Sequence, residues 1–476
     1  MRIAGERDHT VRLIERTCSM DLPAGKPRNF RLIALVIASA LLMQQLDATV
    51  LAVAMPAMAR DLKVPASWLS VGLTSYLVAL AIFIPASGYL ADRWGARRIY
   101  CAAIVVFLLG SVGCAQVQGL GALVVARMVQ GLGGALMMPV GRLILIRCTP
   151  REELMAALSW LVMPALVGPI LGPPLGGFII TWLDWRWIFY INLPVGVLGL
   201  VLALWLMPPM PSGVAMRFDG KGFVLSGAAL GCGVFGLELV SRAWGGPLAW
   251  ALLAAGLMWG WSYVRHARRV PGALLDLSLL RIPSFGLSVA AGNLIRIAQG
   301  AQPFLLALML QTGFHRSAAA AGVIAMAGAV GAVVMKPLAP RIIGHFGYRT
   351  SLSVAGIISS IGYGALAFWQ EAWPSSGMMA VLAATGFFTS LGFTGYNTAA
   401  FLNVPAERMS AATSLYATIQ QLCFSLGICI AGVVLEVVGQ VAVTGASVIG
   451  YRAAFLAVAV VSAWALLFNI RLLNRY

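Results

Sequence analysis

Gly88-Tyr89-Leu90-Ala91-Asp92-Arg93-Trp94-Gly95-Ala96-Arg97-Arg98 forms a charged turn between two long apolar runs, 67–91 and 98–117. One carboxylate and three arginines crowd into a few residues with hydrocarbon on either side. Such charges belong at the edge of an apolar medium, where water or lipid phosphate can reach them. Asp92 can bond the amides that open the next helix, or a neighbouring arginine. Gly88 and Gly95 leave room for helices to approach. Any one of these features is common, but the complete spacing Gly-x-x-x-Asp-Arg-x-Gly-x-Arg-Arg is highly specific.

Outward from this turn the pattern repeats. Hydrophobic residues make up 60% of the 476 and charged residues only 10%, with a mean hydropathy of +0.88. That composition lies outside the range of water-soluble domains. The apolar runs predict fourteen helices: 32–58, 67–91, 98–117, 121–146, 154–181, 187–207, 222–241, 247–264, 284–312, 318–340, 350–370, 376–402, 410–438 and 449–470. Each is close to the span of about 20 residues that crosses a bilayer. The fold class expected is therefore all-α integral membrane, with 14 transmembrane helices.

The net charge of +17 is topological and carries no sign of nucleic-acid binding. With the N-terminus inside, 23 of the 33 Lys and Arg fall in inner segments. Six fall on the outer side: Arg60, Lys63, Arg186, Arg242, Arg316 and Arg452. This asymmetry places both termini in the cytoplasm. Residues 1–31 lack the apolar core of a cleavable signal and read as a disordered tail. Met20 begins an adequate shorter one. Seven scattered cysteines and four histidines outside or at the ends of the apolar runs offer neither a disulfide framework nor a metal centre. No Walker A spacing occurs, which disfavours ATP as a power source, and no cofactor is expected.

Within the first run, Met43-Gln44-Gln45-Leu46-Asp47-Ala48-Thr49 sets a carboxylate where hydrocarbon should be. An ionised Asp there costs about 2.5–3.5 kcal/mol on insertion scales. Counting from Leu32 puts Asp47 roughly 22 Å from the inner edge. The fourth run carries Arg127-Met128-Val129-Gln130-Gly131, and the same count sets Arg127 at nearly the depth of Asp47. An intramembrane acid and base at matched depth read as partners. The first run is expected to bend or stop at Pro56. Arg296 and Gln299 share a helical face in the ninth run, which also carries Gln302. Asn397 lies in the twelfth run, Gln420 in the thirteenth. Glu238 and Glu436 are expected to be solvated at outer helix ends, and Arg142 and Lys336 to snorkel near the inner ends.

The Asp92 turn matches the signature loop of the major facilitator superfamily, which the chain resembles along nearly its whole length. The Arg127-to-Gly134 stretch resembles that superfamily's second motif. In the fifth run, Gly168-Pro169-x-x-Gly172-Pro173-x-x-Gly176-Gly177 looks like the antiporter motif of its exporting members. An echo of the Asp92 turn at Gly344-His345-Phe346-Gly347-Tyr348-Arg349 lies 252 residues downstream and lacks the Asp. It fits two parallel six-helix bundles, 32–207 and 284–470, separated by 208–283 with two extra helices (222–241 and 247–264) and followed by a cytoplasmic C-terminus, 471–476. This 6+2+6 arrangement is similar to the fourteen-spanning drug:proton antiporters of the EmrB and QacA type. The aromatic stretch Trp185–Gly196 also looks like those exporters, and Gly141-Arg142, Arg296 and Met335-Lys336 bring the resemblance nearest to the MdtD-like multidrug exporters among them.

The resemblance implies proton-coupled export of amphiphilic compounds across a bacterial inner (plasma) membrane by alternating access. Asp47 and Arg127 would couple to protons, and Gln44, Gln45, Arg296, Gln299, Gln302, Asn397 and Gln420 would line the substrate cavity. Gly88, Asp92, Arg93, Gly95, Arg97, Arg98, Gly168, Pro169, Gly172, Pro173 and Gly176 would serve gating and packing. The expected partners are a small amphiphilic substrate, protons, membrane lipids and a periplasmic adaptor protein. Two other readings stay open: a proton-coupled importer, and a sensor or assembly subunit on the same fold. The extra helices are expected to lie outside the central cavity. Because residues 2–19 lack apolar periodicity, deleting them should leave membrane insertion intact, which fractionation of the truncated protein checks.

Overall fold

The computed structural model describes residues 30–150, 153–210, 218–243, 246–270, 272–405, 408–441 and 446–472. Residues 1–29 and 473–476 of the expected tails lie outside the described residues. Among the described residues there is no strand. The helices are α1 Phe30–Asp61, α2 Ser70–Phe83, α3 Ser87–Trp94, α4 Ala96–Ala115, α5 Leu120–Cys148, α6 Leu154–Trp182, α7 Trp187–Tyr190, α8 Asn192–Leu206, α9 Gly220–Ala243, α10 Pro247–Ala267, α11 Pro283–Leu308, α12 Ala318–Leu366, α13 Ser375–Phe401, α14 Met409–Val441 and α15 Ala446–Leu472. Short 3₁₀ turns at Ala66–Leu69, Ile84–Ala86 and Leu277–Arg281, and a π-turn at Met309–Gly313, join or extend them.

Among the described residues, ten helical segments are long and apolar enough to cross a membrane, so the protein is a multi-pass integral membrane protein. Their side chains are apolar on nearly every face, as hydrocarbon on one side and packed helices on the other require. Two expected runs, 318–340 and 350–370, join in α12, which is broken only at Gly347 (φ 74°, ψ 165°). The first run was expected to end near Pro56, yet α1 continues through it to Asp61. A proline removes a single backbone donor, and hydrogen bonds on either side keep the helix going.

Two backbone features repeat along the chain. Gly95 (φ 88°) and Gly347 (φ 74°) stand 252 positions apart, and so do Lys63 (φ 55°) and His315 (φ 51°). On the same offset Asp47 corresponds to Gln299, and Gln44 to Arg296.

Helix α6 grips two neighbours. A Cβ on Gly168 would lie 2.6 Å from the Cβ of Gln45, and one on Gly176 2.8 Å from Val50 Cγ1, so its glycines seat α1 directly against the α6 backbone. Its other side meets α12, where a Cβ on Gly177 would reach within 2.8 Å of Ala319 Cα and one on Gly322 within 3.1 Å of Pro174 Cα. These contacts seal the end of the bundle that carries the α1–α2 turn, here the Lys63 end. At the opposite, Asp92 end, a Cβ on Gly88, Gly344 or Gly347 would meet nothing within 4 Å. The close helix approach expected at Gly88 is therefore not made.

The Asp92 turn itself is closed by side chains. Gly95 takes a left-handed conformation between α3 and α4, which only glycine adopts without strain. Asp92 Oδ1 accepts from Arg147 Nη2 at 3.0 Å at the end of α5, the arginine alternative of the two its position allowed. Arg93 Nη1 donates to Tyr89 Oη at 2.7 Å, Arg97 donates to the Leu204 carbonyl, and Arg98 is exposed.

The α9–α10 pair packs on itself, and α9 also touches α2 and α14. One expectation fails here. Glu238 is buried at 1% exposure. It accepts from Ser70, from Thr74 Oγ1 at 3.4 Å and from Cys429 Sγ at 3.3 Å. The count that placed it at a helix end gave its depth correctly, but depth says nothing of the helices packed against it.

The base of the α9–α10 hairpin is tied by Asp219. Burial pushes its carboxyl up, but the Gly222 N–H, the His266 ring and the Leu274 N–H outweigh that and hold it below the usual carboxylate range. Gly222 N donates to Oδ1 at 2.8 Å, and His266 Nε2 lies 2.8 Å from the same oxygen. A carboxylate depressed by folding stabilises above its unfolded pKa, and that stability is lost as pH falls through the folded value. Asp219→Asn should lower the melting temperature of the solubilised protein by a few degrees at pH 7. The gap from the parent protein should narrow only below about pH 4, as thermal unfolding at several pH values would show.

Candidate functional site

Asp47 faces away from α6, into the first half of the bundle. The sequence delivers it there because Gln45 and Thr49, two residues to either side, occupy the α6-facing stripe, and a helix turns about 100° per residue. Its carboxylate is 3% exposed and fully partnered. Oδ2 accepts from Arg127 Nη1 at 2.6 Å. Oδ1 accepts from Gln130 Nε2 at 2.8 Å and from Asn192 Nδ2 at 3.2 Å. Both amides also donate to Ser111 Oγ, at 2.8 and 3.3 Å.

Arg127 has no exposed surface. Its Nε donates to the Gly72 carbonyl at 2.8 Å, Nη1 also reaches Gln130 Oε1 at 2.5 Å, and the guanidinium lies 4.5 Å from the centre of the Tyr76 ring. Its Nη2 has no hydrogen-bond partner. Thus α1, α2, α4, α5 and α8 all contribute to one buried ion pair. Removing one member of such a pair strands the other, at about 3–5 kcal/mol.

A cavity of about 450 Å³ lies between the two halves, with Arg127 in its wall. Gln299 and Gln302 line it, as expected, together with Pro169, Pro173, Phe393 and Phe424. Gln44, Gln45, Arg296, Asn397 and Gln420 are not among its lining residues. The reason is position along the axis or rotation about it. Ala48, Thr49, Ala52 and Val53 form the α1 wall a turn beyond the glutamines, and Phe424 stands a turn beyond Gln420. Arg296 is 1% exposed, bonded to Asn293 Oδ1 and Asn397 Oδ1, each at 3.2 Å. It also donates to the Tyr416 hydroxyl and lies 5.1 Å from the Phe393 ring centre. Arg296 is a buried cation behind the wall, held through its two terminal nitrogens, while its Nε has no hydrogen-bond partner.

Lys336 reverses the opposite way. Expected to snorkel at a helix end, it is exposed and lines the cavity. The cavity thus carries two basic side chains, Arg127 and Lys336, with Asp47 paired to the first. Sequence reading quoted Gln130 and Asn192 without giving them a role. Their polarity inside apolar runs was the available signal, and Ser111 carried almost none.

A model of the Major Facilitator Superfamily matches residues 37–301 and 289–475. The chain is 37% identical over 416 residues to a multidrug resistance protein MdtD of Klebsiella pneumoniae (strain 342), covering 85% of this chain and 86% of that one. It is 36% identical over 454 residues to the protein of that name in Pectobacterium atrosepticum, covering 93% and 96%. Among solved structures, the nucleoside transporter NupG superposes with a TM-score of 0.61 at 13% identity over 94% of this chain and all of that one. The POT family transporter PepTSo superposes with a TM-score of 0.66 at 13% identity over 93% and 98%. At that identity the superpositions speak for the fold alone, but the family match and the curated relatives cover most of the sequence, and the chain belongs to the major facilitator superfamily.

Proposed function

We propose that this protein is a proton-coupled multidrug exporter of the bacterial inner membrane, with fourteen crossings arranged 6+2+6 and both termini cytoplasmic. The observation that carries this reading is the buried Asp47–Arg127 pair, whose arginine stands in the wall of a cavity between two halves. A structural ion pair has no need of a cavity beside it, whereas a proton carrier must meet one. The MdtD relatives are named for multidrug resistance, and the α6 motif supports export. With the basic Asp92 end inside, the tight α6–α12 packing seals the outer end, and the chain stands open to the cytoplasm. In that state Asp47 is ionised and held by Arg127, Gln130 and Asn192.

The coupling follows from the pair. Opening the outer end re-registers α1 against α5, which weakens the hold of Arg127 on Asp47 and favours proton uptake there. Protonation removes the charge that Arg127 neutralises, so the guanidinium turns to the cavity and to the solvent or substrate within it. Return to the inward state restores the pair and releases the proton inward. Substrate moves outward as the proton moves in. The extra helices α9 and α10 line no part of the cavity and pack at its periphery. A periplasmic adaptor would complete export across a second membrane.

Asp47→Asn keeps the shape and removes the titratable group together with the charge that neutralises Arg127, so it should also lower thermal stability. It should insert normally yet reduce efflux driven by a pH gradient at least tenfold in proteoliposomes, while substrate still equilibrates across the membrane. Gradient-driven efflux at the parent rate in that variant would overturn the reading.

The cavity's charge predicts substrate preference. With Asp47 paired, Lys336 leaves the cavity net positive, and like charge in a site of low dielectric disfavours dications. Neutral, zwitterionic and weakly anionic amphiphiles should therefore compete best. Lys336→Gln should shift preference towards cations several-fold in competition assays. Arg296→Gln should leave preference unchanged and lower thermal stability, because Arg296 sits behind the wall.

A further inference from the structure

A second cavity, at the sealed Lys63 end, has a different chemistry from the central one. It encloses about 750 Å³ and is lined by Arg60 and Lys63 from the end of α1, and by His315 and Arg316 from the turn after α11. Its lining contains no acidic side chain. Asp61, next to Arg60, is engaged elsewhere. Its Oδ2 accepts from Trp185 Nε1 at 3.0 Å and meets Arg186 Nη2 at 2.9 Å. Arg316 donates through Nη1 to Ser375 Oγ and through Nη2 to the Glu371 and Trp373 carbonyls, all uncharged, while its buried Nε has no hydrogen-bond partner. Three permanent cations and a histidine converge with no counter-charge in the wall. Their mutual repulsion favours an anion brought from outside.

The backbone gives an independent observation. Lys63 and His315 are the non-glycine residues with positive φ among the described residues, and both line this cavity. Glycine holds that conformation without strain, and an L side chain does not. The same strain occurs at equivalent places in both repeats, each time with a basic residue aimed at one depression. Both conformations close a helix end, where the Val64 N–H donates to the Ala59 carbonyl at 3.0 Å and the Arg316 N–H to the Leu310 carbonyl at 2.9 Å, and each cap brings a basic side chain to the same depression.

We propose that this depression binds an anion through a phosphate or carboxylate group, which bridges the two repeats. The occupant sits between Arg60 and Lys63 on one side and His315 and Arg316 on the other. Beneath it Gln311 Nε2 donates to the Val53 carbonyl at 2.9 Å, and Ala318, also in the lining, packs on Gly177. The anion therefore ties α1 to the α11–α12 turn across the seal and favours the sealed arrangement by mass action. Two sources share this chemistry: the headgroup of an anionic phospholipid and a free anion. The assignment stands independently of proton coupling or export.

The test uses the full-length protein and its melting temperature. One arm places it in nanodiscs of phosphatidylglycerol or of phosphatidylcholine. The other titrates inorganic phosphate against chloride in detergent at matched ionic strength. The wild-type protein should melt several degrees higher with phosphatidylglycerol or with phosphate. The Lys63→Gly/His315→Gly double variant keeps the left-handed backbone and removes both side chains, so it should lose at least two thirds of that shift. Lys221→Gln, a charge change at the other end, should keep it. A response to phosphate in detergent identifies a free anion, and a response to phosphatidylglycerol alone identifies a lipid headgroup. No shift in either arm, or an undiminished shift in the double variant, overturns the proposal. If that variant does not fold, Arg60→Gln, at an exposed position, decides in the same way.

Discussion

One carboxylate inside hydrocarbon organises the first half of this protein. Asp47 cannot remain ionised there unless a cation and several donors surround it, and five helices contribute to that shell. Arg127 brings α5 to α1, and its Nε–Gly72 bond brings α2. Gln130 and Asn192 converge on Oδ1 and on Ser111, adding α4 and α8. Each donor is fixed by a second acceptor, so the site is preorganised by its own satisfaction. The same completeness makes it switchable. Three of its bonds end on the Asp47 carboxylate, and these are the ones that loss of its charge would weaken.

The constraint on the other face of α1 is steric. Hydrocarbon gives helices no hydrophobic reason to associate, so close approach of small residues must supply the attraction. The glycines of α6 supply it twice, against α1 through Gly168, Gly172 and Gly176, and against α12 through Gly177. This helix therefore links the one carrying Asp47 to the opposite repeat. Both contacts are made at short range, with no long side chain between α6 and either neighbour. The prolines of the motif fit this role, because their missing donors lower the cost of bending α6 while its glycines hold their seats.

Much of this was legible in the sequence because membrane burial leaves few ways to satisfy polar groups. The Asp92 turn, the depths of Asp47 and Arg127, and the glycine spacing of α6 are one-dimensional signals, and counting along a helix of fixed rise recovers them. Rotation and packing partners are not encoded so locally. Arg296 was read as a cavity group and turns out to be bonded to Asn293, Asn397 and Tyr416 behind the wall. Lys336 was read as a snorkelling end and faces the cavity. Glu238 was read as solvated because it ends a run, but its surroundings are set by α2 and α14, far away in sequence. Asn192, hidden in an aromatic stretch, needed the fold to reveal that it reaches Asp47.

The repeat sharpens what the asymmetry means. On the 252-residue offset that relates Gly95 to Gly347 and Lys63 to His315, Asp47 corresponds to Gln299 and Gln44 to Arg296. One half holds an acid and a base in direct contact. The other holds a base whose terminal nitrogens bond neutral oxygens, with an amide where the acid would be. A neutral amide cannot titrate, so protonation changes the internal charge balance of the first half alone. The second half keeps a fixed charge distribution and provides glutamines, Phe393 and Phe424 to the cavity wall. The two halves thus differ in what they hold: the first a buried ion pair, the second a buried arginine among neutral oxygens together with the glutamines and rings of the cavity wall.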